Sequence, residues 1–400
     1  MYASWDYGAQ PTRVRAGTPL SCYLTAVHQI NALTGAAVFA TMLVGCAGAP
    51  TATEPATATA TAPAPKPVEA HALIDESLPR NVSDRSLWIT DIFAAFKVLT
   101  VTPTPANICA VVAVIEQESG FQVDPVIPGL GAIARSEIDR RAERAHVPMM
   151  MINGVLALKS SDGRSYGDRI DSARTEKQLS DVYEDFLAAV PLGQTLFADR
   201  NPIRTRGPMQ VNVAFAEQFS SATPYPYQAK QSIGDELFTR RGSVYFGIAH
   251  LLDYRAPYPI YLYRFADYNA GQYASRNAAF QSAVSIASGV ALNTDGALLP
   301  HAADASTGAT ELALQTLAAR LHMSADAIHG ALAQGKAYSF ETTPLYLRTF
   351  ALAERKAGRS LPRAAVPRIT LVGPKLKRNL TTDWYAHRVD ERFKRCLNRQ

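Results

Sequence analysis

Cysteine, charge and long apolar runs are all scarce in this chain, and each scarcity closes off a class of protein. Its four cysteines, at positions 22, 46, 109 and 396 of 400, form no close Cys/His cluster of the kind that holds a metal. The histidines (His71, His146, His250, His301, His322, His329 and His387 among them) are equally scattered, and no His-Glu-x-x-His run occurs. No metal and no cofactor are therefore expected. Charged residues make up 19% of the chain with a net charge of +5, and no dense Lys/Arg block is present. That mild excess suits an anionic partner but argues against nucleic acid. The uncharged, mostly apolar run from Leu33 to Gly45 is too short for a transmembrane helix. What remains, 47% apolar residues in 400, is enough for a sizeable core in one large domain or two smaller ones. No internal repeat is evident.

The amino terminus reads as an address. Leu33 to Gly45 has the length of a signal-peptide core, and Leu43-Val44-Gly45-Cys46 resembles a bacterial lipobox, whose cysteine becomes the lipidated first residue of the mature protein. Ala47 to Pro67 is a Pro/Ala/Thr tract that cannot build a core and serves as a tether. The resemblance implies export and acylation of Cys46, and Ala47, in place of the aspartate that retains lipoproteins at the inner membrane, implies an outer-membrane anchor facing the periplasm. Residues 1–30 are long and poor in positive charge for a signal, so translation would start downstream of Met1. With Cys22 removed and Cys46 lipidated, Cys109 and Cys396 are the only thiols left in an oxidising compartment. They are candidates for a disulfide; a buried free Cys109 with an exposed Cys396 is the alternative.

Helical periodicity dominates the rest, and the expected fold class is mainly α. Ser83 to Lys97 carries an apolar face, with Ser83 or Asp84 as cap, and Pro103 and Pro105 precede the next helix. Thr175 and Gln178 form a capping box ahead of Leu179, Val182, Phe186 and Val190, while Ser136 to His146 is a charged, solvated helix. Asp235 to Asp253, Glu311 to Leu321 and Thr343 to Lys356 are further helices. The rings of Pro224 to Tyr227 and Tyr254 to Tyr263 would either line a cleft and stack on sugars or pack on the core.

Chemistry enters at Glu118. Ile108 to Ile115 is uncharged and apolar all round, the mark of a buried helix, and Glu116 and Glu118-Ser119 stand at its exit. A carboxylate where a buried helix meets a cleft is shielded from water, which favours the protonated form that a general acid needs. Downstream lie Gly207-Pro208-Met209-Gln210 and Tyr268-Asn269-Ala270-Gly271, with Gly242 to Leu252 between them as a helix. This ordered set resembles the lytic transglycosylases of the lysozyme superfamily, related in fold to goose-type lysozyme. Their motifs are a Glu-Ser pair at a helix end, a Gly-Leu-Met-Gln-like turn and an Ala-Tyr-Asn-Ala-Gly-like segment. The likeness covers residues 105–125 and 200–285, about a quarter of the chain.

The resemblance implies a lysozyme-like helical domain that cuts the β-1,4 bond between N-acetylmuramic acid and N-acetylglucosamine, leaving 1,6-anhydro ends. In it Glu118 is the acid/base, Tyr268 orients Glu118, Ser119, Gln210 and Asn269 are sugar contacts, and Met209 is a wall of the site. Peptidoglycan glycan strands are then the partner. Several departures stand out. Pro208 replaces Leu, and the gap between the first two motifs is several times the usual length, assigned to a helical insertion at 125–200. Asp267 is either a surface residue or a second carboxylate facing Glu118, and Glu116 is a rival acid. A hydrolytic muramidase using Asp267 or Asp199, and a non-catalytic peptidoglycan-binding lipoprotein, are the competing readings. The expected organisation is a signal peptide at 1–45, an anchor and tether at 46–70, a catalytic domain at 71–285 and a helical extension at 286–400.

Overall fold

The computed structural model describes residues 67–189, 201–229, 231–300, 307–371, 373 and 379–400. The signal segment, Cys46, nearly all of the tether, Asp199 and Val190 lie outside the described residues. Among those described, helices predominate and strands are two residues long, as a mainly α chain requires.

Three helices open the fold: α1 (Pro67–Ser77), α2 (Arg85–Val98) and α3 (Pro105–Glu118). α1 starts inside the expected tether, because Ala70 and Ile74 are fully buried and hold residues from Pro67 onward against the core. Asp84 stands at the start of α2 but makes no capping bond. α3 is capped by Thr104, whose hydroxyl accepts from the Asn107 amide at 3.1 Å, and Pro105 fits the first turn because its missing N–H has no partner to lose. Every side chain from Ile108 to Ile115 is out of solvent. Ser119 ends the helix, and Gly120 and Phe121 turn away with φ of +59° and +66°.

The 125–200 segment is helical where described: α4 (Leu130–Arg144), α5 (Met149–Leu156), α6 (Tyr166–Ser172) and α7 (Glu176–Ala189). The box that starts α7 is formed, since Gln178 Oε1 accepts from the Arg174 and Thr175 amides and the Gln178 amide donates to Thr175 Oγ1. Leu130, Tyr166, Ile170, Leu179 and Val182 make its own apolar cluster, which Ile203 and Phe238 join from outside the segment.

A hairpin of β1 (Thr205–Arg206) and β2 (Val211–Asn212) leads into α8 (Val213–Ala222). The helix expected over 235–253 is two, α9 (Ile233–Glu236) and α10 (Arg240–Leu252), because Thr239 interposes a new cap by accepting from the Gly242 amide. Then come α11 (Tyr261–Ala270) and α12 (Ala274–Ser288). Beyond them, α13 (Ala309–Gln315), α14 (Ala318–Leu321), α15 (Ala325–Leu332) and α16 (Pro344–Ala357) build a second cluster on α12. A hairpin of β3 (Thr370–Leu371) and β4 (Leu380–Thr381) delivers α17 (Thr382–Leu397).

The boundary expected at residue 285 does not separate two packing units. Tyr385, Val389, Phe393 and Cys396 recur at helical spacing on α17 and belong to the same core as α1, α2, α3, α10 and α11. Burying each such ring or branched side chain is worth roughly 1.5–3 kcal/mol. Cys109 of α3 and Cys396 of α17 are disulfide-bonded, with Cα atoms 5.5 Å apart across 287 residues of sequence. The last helix is thus a central part of the first core.

Candidate active site

Glu118 ends α3 with 2% of its surface exposed. The Tyr385 hydroxyl of α17 donates to its Oε1 at 2.6 Å, and Tyr385 is itself fully buried. Burial pushes the Tyr385 phenol well above its ordinary pKa, and the nearby Glu118 charge and Tyr268 add to the effect. It remains a neutral donor at any physiological pH. α3 and α17 run antiparallel, since Cys109 meets Cys396 at one end and Glu118 meets Tyr385 at the other. Between them Glu116 pairs with Arg395 at 3.2 Å and Arg392 at 3.6 Å. The rival carboxylate is therefore held in an ion pair on another helix face.

The second motif is a tight turn between β1 and β2. The Gln210 amide donates to the Gly207 carbonyl at 2.8 Å, and Pro208 pre-sets the backbone at the first corner. Gly207 is required there: φ is +73°, and a Cβ would stand 1.9 Å from the Leu237 carbonyl oxygen. The Met209 amide donates to Ser243 Oγ at 3.0 Å, which ties the turn to α10, and Met209 packs so closely on Gly247 that a Cβ there would strike its sulfur.

The third motif closes α11. Tyr268 donates its hydroxyl to the Met209 carbonyl at 2.7 Å and packs in a tilted pair, ring centroids 4.9 Å apart, with His250, which in turn stacks on Phe215 at 4.4 Å. Burial, then the Glu118 charge, raises the Tyr268 phenol's pKa well above its usual value. Desolvation lowers the His250 pKa to about 4, so the imidazole is neutral. The end of α3, the turn at 207–210 and the end of α11 thus meet at one place, although 150 residues separate Glu118 from Tyr268 in sequence.

The individual roles differ from those the resemblance implies. The hydroxyl that grips Glu118 belongs to Tyr385, because Tyr268 has spent its proton on Met209. Tyr385 follows no sequence motif; its only signal was a place in the apolar stripe of an amphipathic helix. Ser119 donates to its own helix at Ile115, 3.2 Å away, as a terminal serine does. Met209 is fully buried, a core side chain rather than a wall. The Gln210 side chain donates through Nε2 to Glu176 Oε2 at 2.9 Å, and its Oε1 accepts from Thr205 Oγ1 at 2.8 Å. Glu176, the first residue of α7, reaches this turn from the insertion, a contact no local pattern could announce. Asn269 accepts from Thr382 at the start of α17 at 2.7 Å.

Asp267 is neither on the surface nor turned to the acid. It is 1% exposed and receives four donors: the Tyr254 hydroxyl at 3.0 Å, the Tyr258 hydroxyl, and the Tyr273 and Ser275 amides at 3.0 and 2.7 Å. Burial lifts its pKa to about 7 against those hydrogen bonds. It ties the α11–α12 corner together. The tyrosine-rich segments follow the core reading: Tyr254 and Tyr258 serve Asp267, Tyr261 stacks on Phe393, and Tyr225 stacks on Phe246. Among the described residues, no group of three or more His, Cys, Asp and Glu side chains could hold a metal ion, and no helix is long and apolar enough to cross a membrane.

Fold and site together define a mainly α protein in which a buried helix-end carboxylate is gripped by a tyrosine from the last helix. Residues 81–399 match the family model described as "Protein of unknown function (DUF1615)", and the chain belongs to that family. It is 50% identical over 330 residues to "Uncharacterized protein YaiW" of Escherichia coli K12, a match that covers 82% of this chain and 90% of that protein. No solved structure matches it.

Proposed function

We propose that this chain is an exported, lipid-anchored lytic transglycosylase of lysozyme-like fold, acting on peptidoglycan with Glu118 as its single acid/base. The observation that supports this reading is the meeting of the Glu118 helix end, the Gly207–Gln210 turn and Tyr268 at one buried point. In the reaction, the Glu118 carboxyl gives its proton to the glycosidic oxygen as the bond to the muramic C1 breaks. The N-acetyl group stabilises the cationic carbon. The muramic C6 hydroxyl then bonds to C1 while Glu118 takes its proton, so the acid is regenerated and a 1,6-anhydro end is left. Tyr385 holds the carboxylate in place. The anchor rests on the lipobox-like run ending at Cys46.

A second reading is a non-catalytic peptidoglycan-binding lipoprotein. What favours it is that Glu118 is 2% exposed and that the side chains of Ser119 and Gln210 bond within the protein. Digestion of purified sacculi followed by mass analysis separates the readings. Under the enzyme reading, anhydro-muropeptides appear and Glu118→Gln lowers their rate roughly 10²–10⁴-fold while the protein stays folded. Sacculus binding without product, unchanged in Glu118→Gln, would establish the binding protein. Reducing muramic ends would mean hydrolysis by water, with a second acid other than the fully engaged Asp267.

A further inference from the structure

The helix that grips Glu118 is the last in the chain, and its far end is fastened three times. Cys396 of α17 is bridged to Cys109 of α3, the Arg399 guanidinium donates to the Ser77 carbonyl at 3.0 Å, and the Gln400 side-chain amide donates to the Ser77 hydroxyl. Ser77 closes α1, so the final residues of the chain sew α17 to the first and third helices. Tyr385 and Cys396 are eleven residues apart (396 − 385). That is about three full turns and roughly 16 Å of rise, which puts both on one face of α17. Fixing the rotation of α17 at Cys396 therefore fixes the direction in which Tyr385 points.

Burial of the bridge fixes when it forms. Neither cysteine has any exposed surface, so no other protein reaches either sulfur once α17 is seated. Bridge formation is an exchange in which one cysteine thiolate displaces a thiolate from the disulfide of a carrier, and the other cysteine thiolate then displaces the carrier. The carrier leaves as a dithiol with both electrons and, by way of solvent, both protons. Each step needs room for the carrier, so the bridge precedes docking. The two cysteines are 287 residues apart, and an open chain brings them together rarely; once they are joined, α17 is held beside α3 without a search. The apolar clusters on α12 and within 125–200 contain no residue of α17 and do not wait for it.

We propose that the Cys109–Cys396 bridge is a redox latch on the Glu118 site: exchange with an oxidised disulfide carrier pins α17 before it docks, and the pinned helix then closes Tyr385 over Glu118. Without the bridge the two other clusters stay folded while α17 leaves and returns, and Glu118 is opened to water. The latch is independent of any glycan chemistry. It is tested by labelling carboxyl groups with a water-soluble carbodiimide and glycine ethyl ester, read by mass spectrometry, in the bridged protein and in Cys109→Ala with Cys396→Ala. Glu118 should resist the reagent in the bridged protein and react at least about tenfold faster in the variant. Glu311, 6% exposed on α13, and Glu176, 5% exposed on α7, should react at the same slow rate in both, because they belong to the regions that do not need α17. The wild-type chain refolded with its thiols kept reduced by a phosphine should behave as the variant does. Equal protection of Glu118 with and without the bridge overturns the proposal, since packing alone would then seat α17. Labelling of all three carboxylates, or loss of the helical circular dichroism in both unbridged samples, overturns it as well, because the bridge would then support the whole fold and not the one helix.

Discussion

Replacing Tyr385 by phenylalanine removes one oxygen and leaves the ring, so any effect traces to the bond with Glu118 and not to a cavity. The hydroxyl lies 2.6 Å from Oε1, and both residues are closed to water. A hydrogen bond to a charged group contributes about 1.5–3 kcal/mol net, and the substitution leaves a buried carboxylate oxygen with one donor fewer. Urea unfolding at neutral pH should therefore show a loss of about 2 kcal/mol at unchanged m-value. Glu118→Gln gives the second edge of a double-mutant cycle, since a neutral amide oxygen accepts from Tyr385 less strongly than a carboxylate. If the bond operates in solution, the two losses couple by about 1 kcal/mol or more. Additivity within about 0.5 kcal/mol would refute the reasoning, because residues that share a short buried bond cannot respond independently. Under the proposed activity, Tyr385→Phe should also lower turnover while sacculus binding is kept, because it loosens the acid without touching sugar contacts.

Gly207→Ala should cost at least about 3 kcal/mol by thermal unfolding, whereas Gly120→Ala, with similar positive φ but open space around its Cβ, should cost only about 1–2 kcal/mol; equal losses would show that the Leu237 carbonyl is not the obstacle. Asp267 and His250 should drive opposite pH trends. Asp267, at about 7, supplies stability that is complete below about pH 4 and lost as pH rises to 7, while His250, at about 4, stays neutral when folded, so its contribution is lost as pH falls from 6.5 to 4. Asp267→Asn should therefore expose a loss of stability on acidification, and His250→Phe the reverse, each on the order of 3 kcal/mol in urea titrations across that range; the same slope in both variants would refute the assignment.

Local pattern was enough to read the helical class and several of the helices, but it placed the start of α1 in the tether, gave no bounds for α17, and of the two caps it offered only the one at Thr175 is formed. The uncharged stretch before Glu116 announced a buried α3, and Thr175 with Gln178 announced the start of α7. Where the reading ran long, as over 235–253, the missed signal was Thr239, an N-cap inside an otherwise continuous apolar pattern. The three motif segments were legible too, being short and contiguous. Their side-chain roles were not. A terminal serine, a turn glutamine and a helix tyrosine carry the same letters whether they face a ligand or bond inward to Ile115, Glu176 and Met209.

The sequence by itself determined that this is a mainly α chain with a carboxylate at the end of a buried helix, because helical period, caps and apolar runs act over a few residues. Tertiary structure alone decided what surrounds that carboxylate. Tyr385 is 267 residues away from Glu118, and Glu176 is 34 residues from the Gln210 it engages. Such pairs arise only when separate amphipathic helices bury their apolar stripes in a common core, and the stripe records that a residue turns inward without recording which residue it will meet.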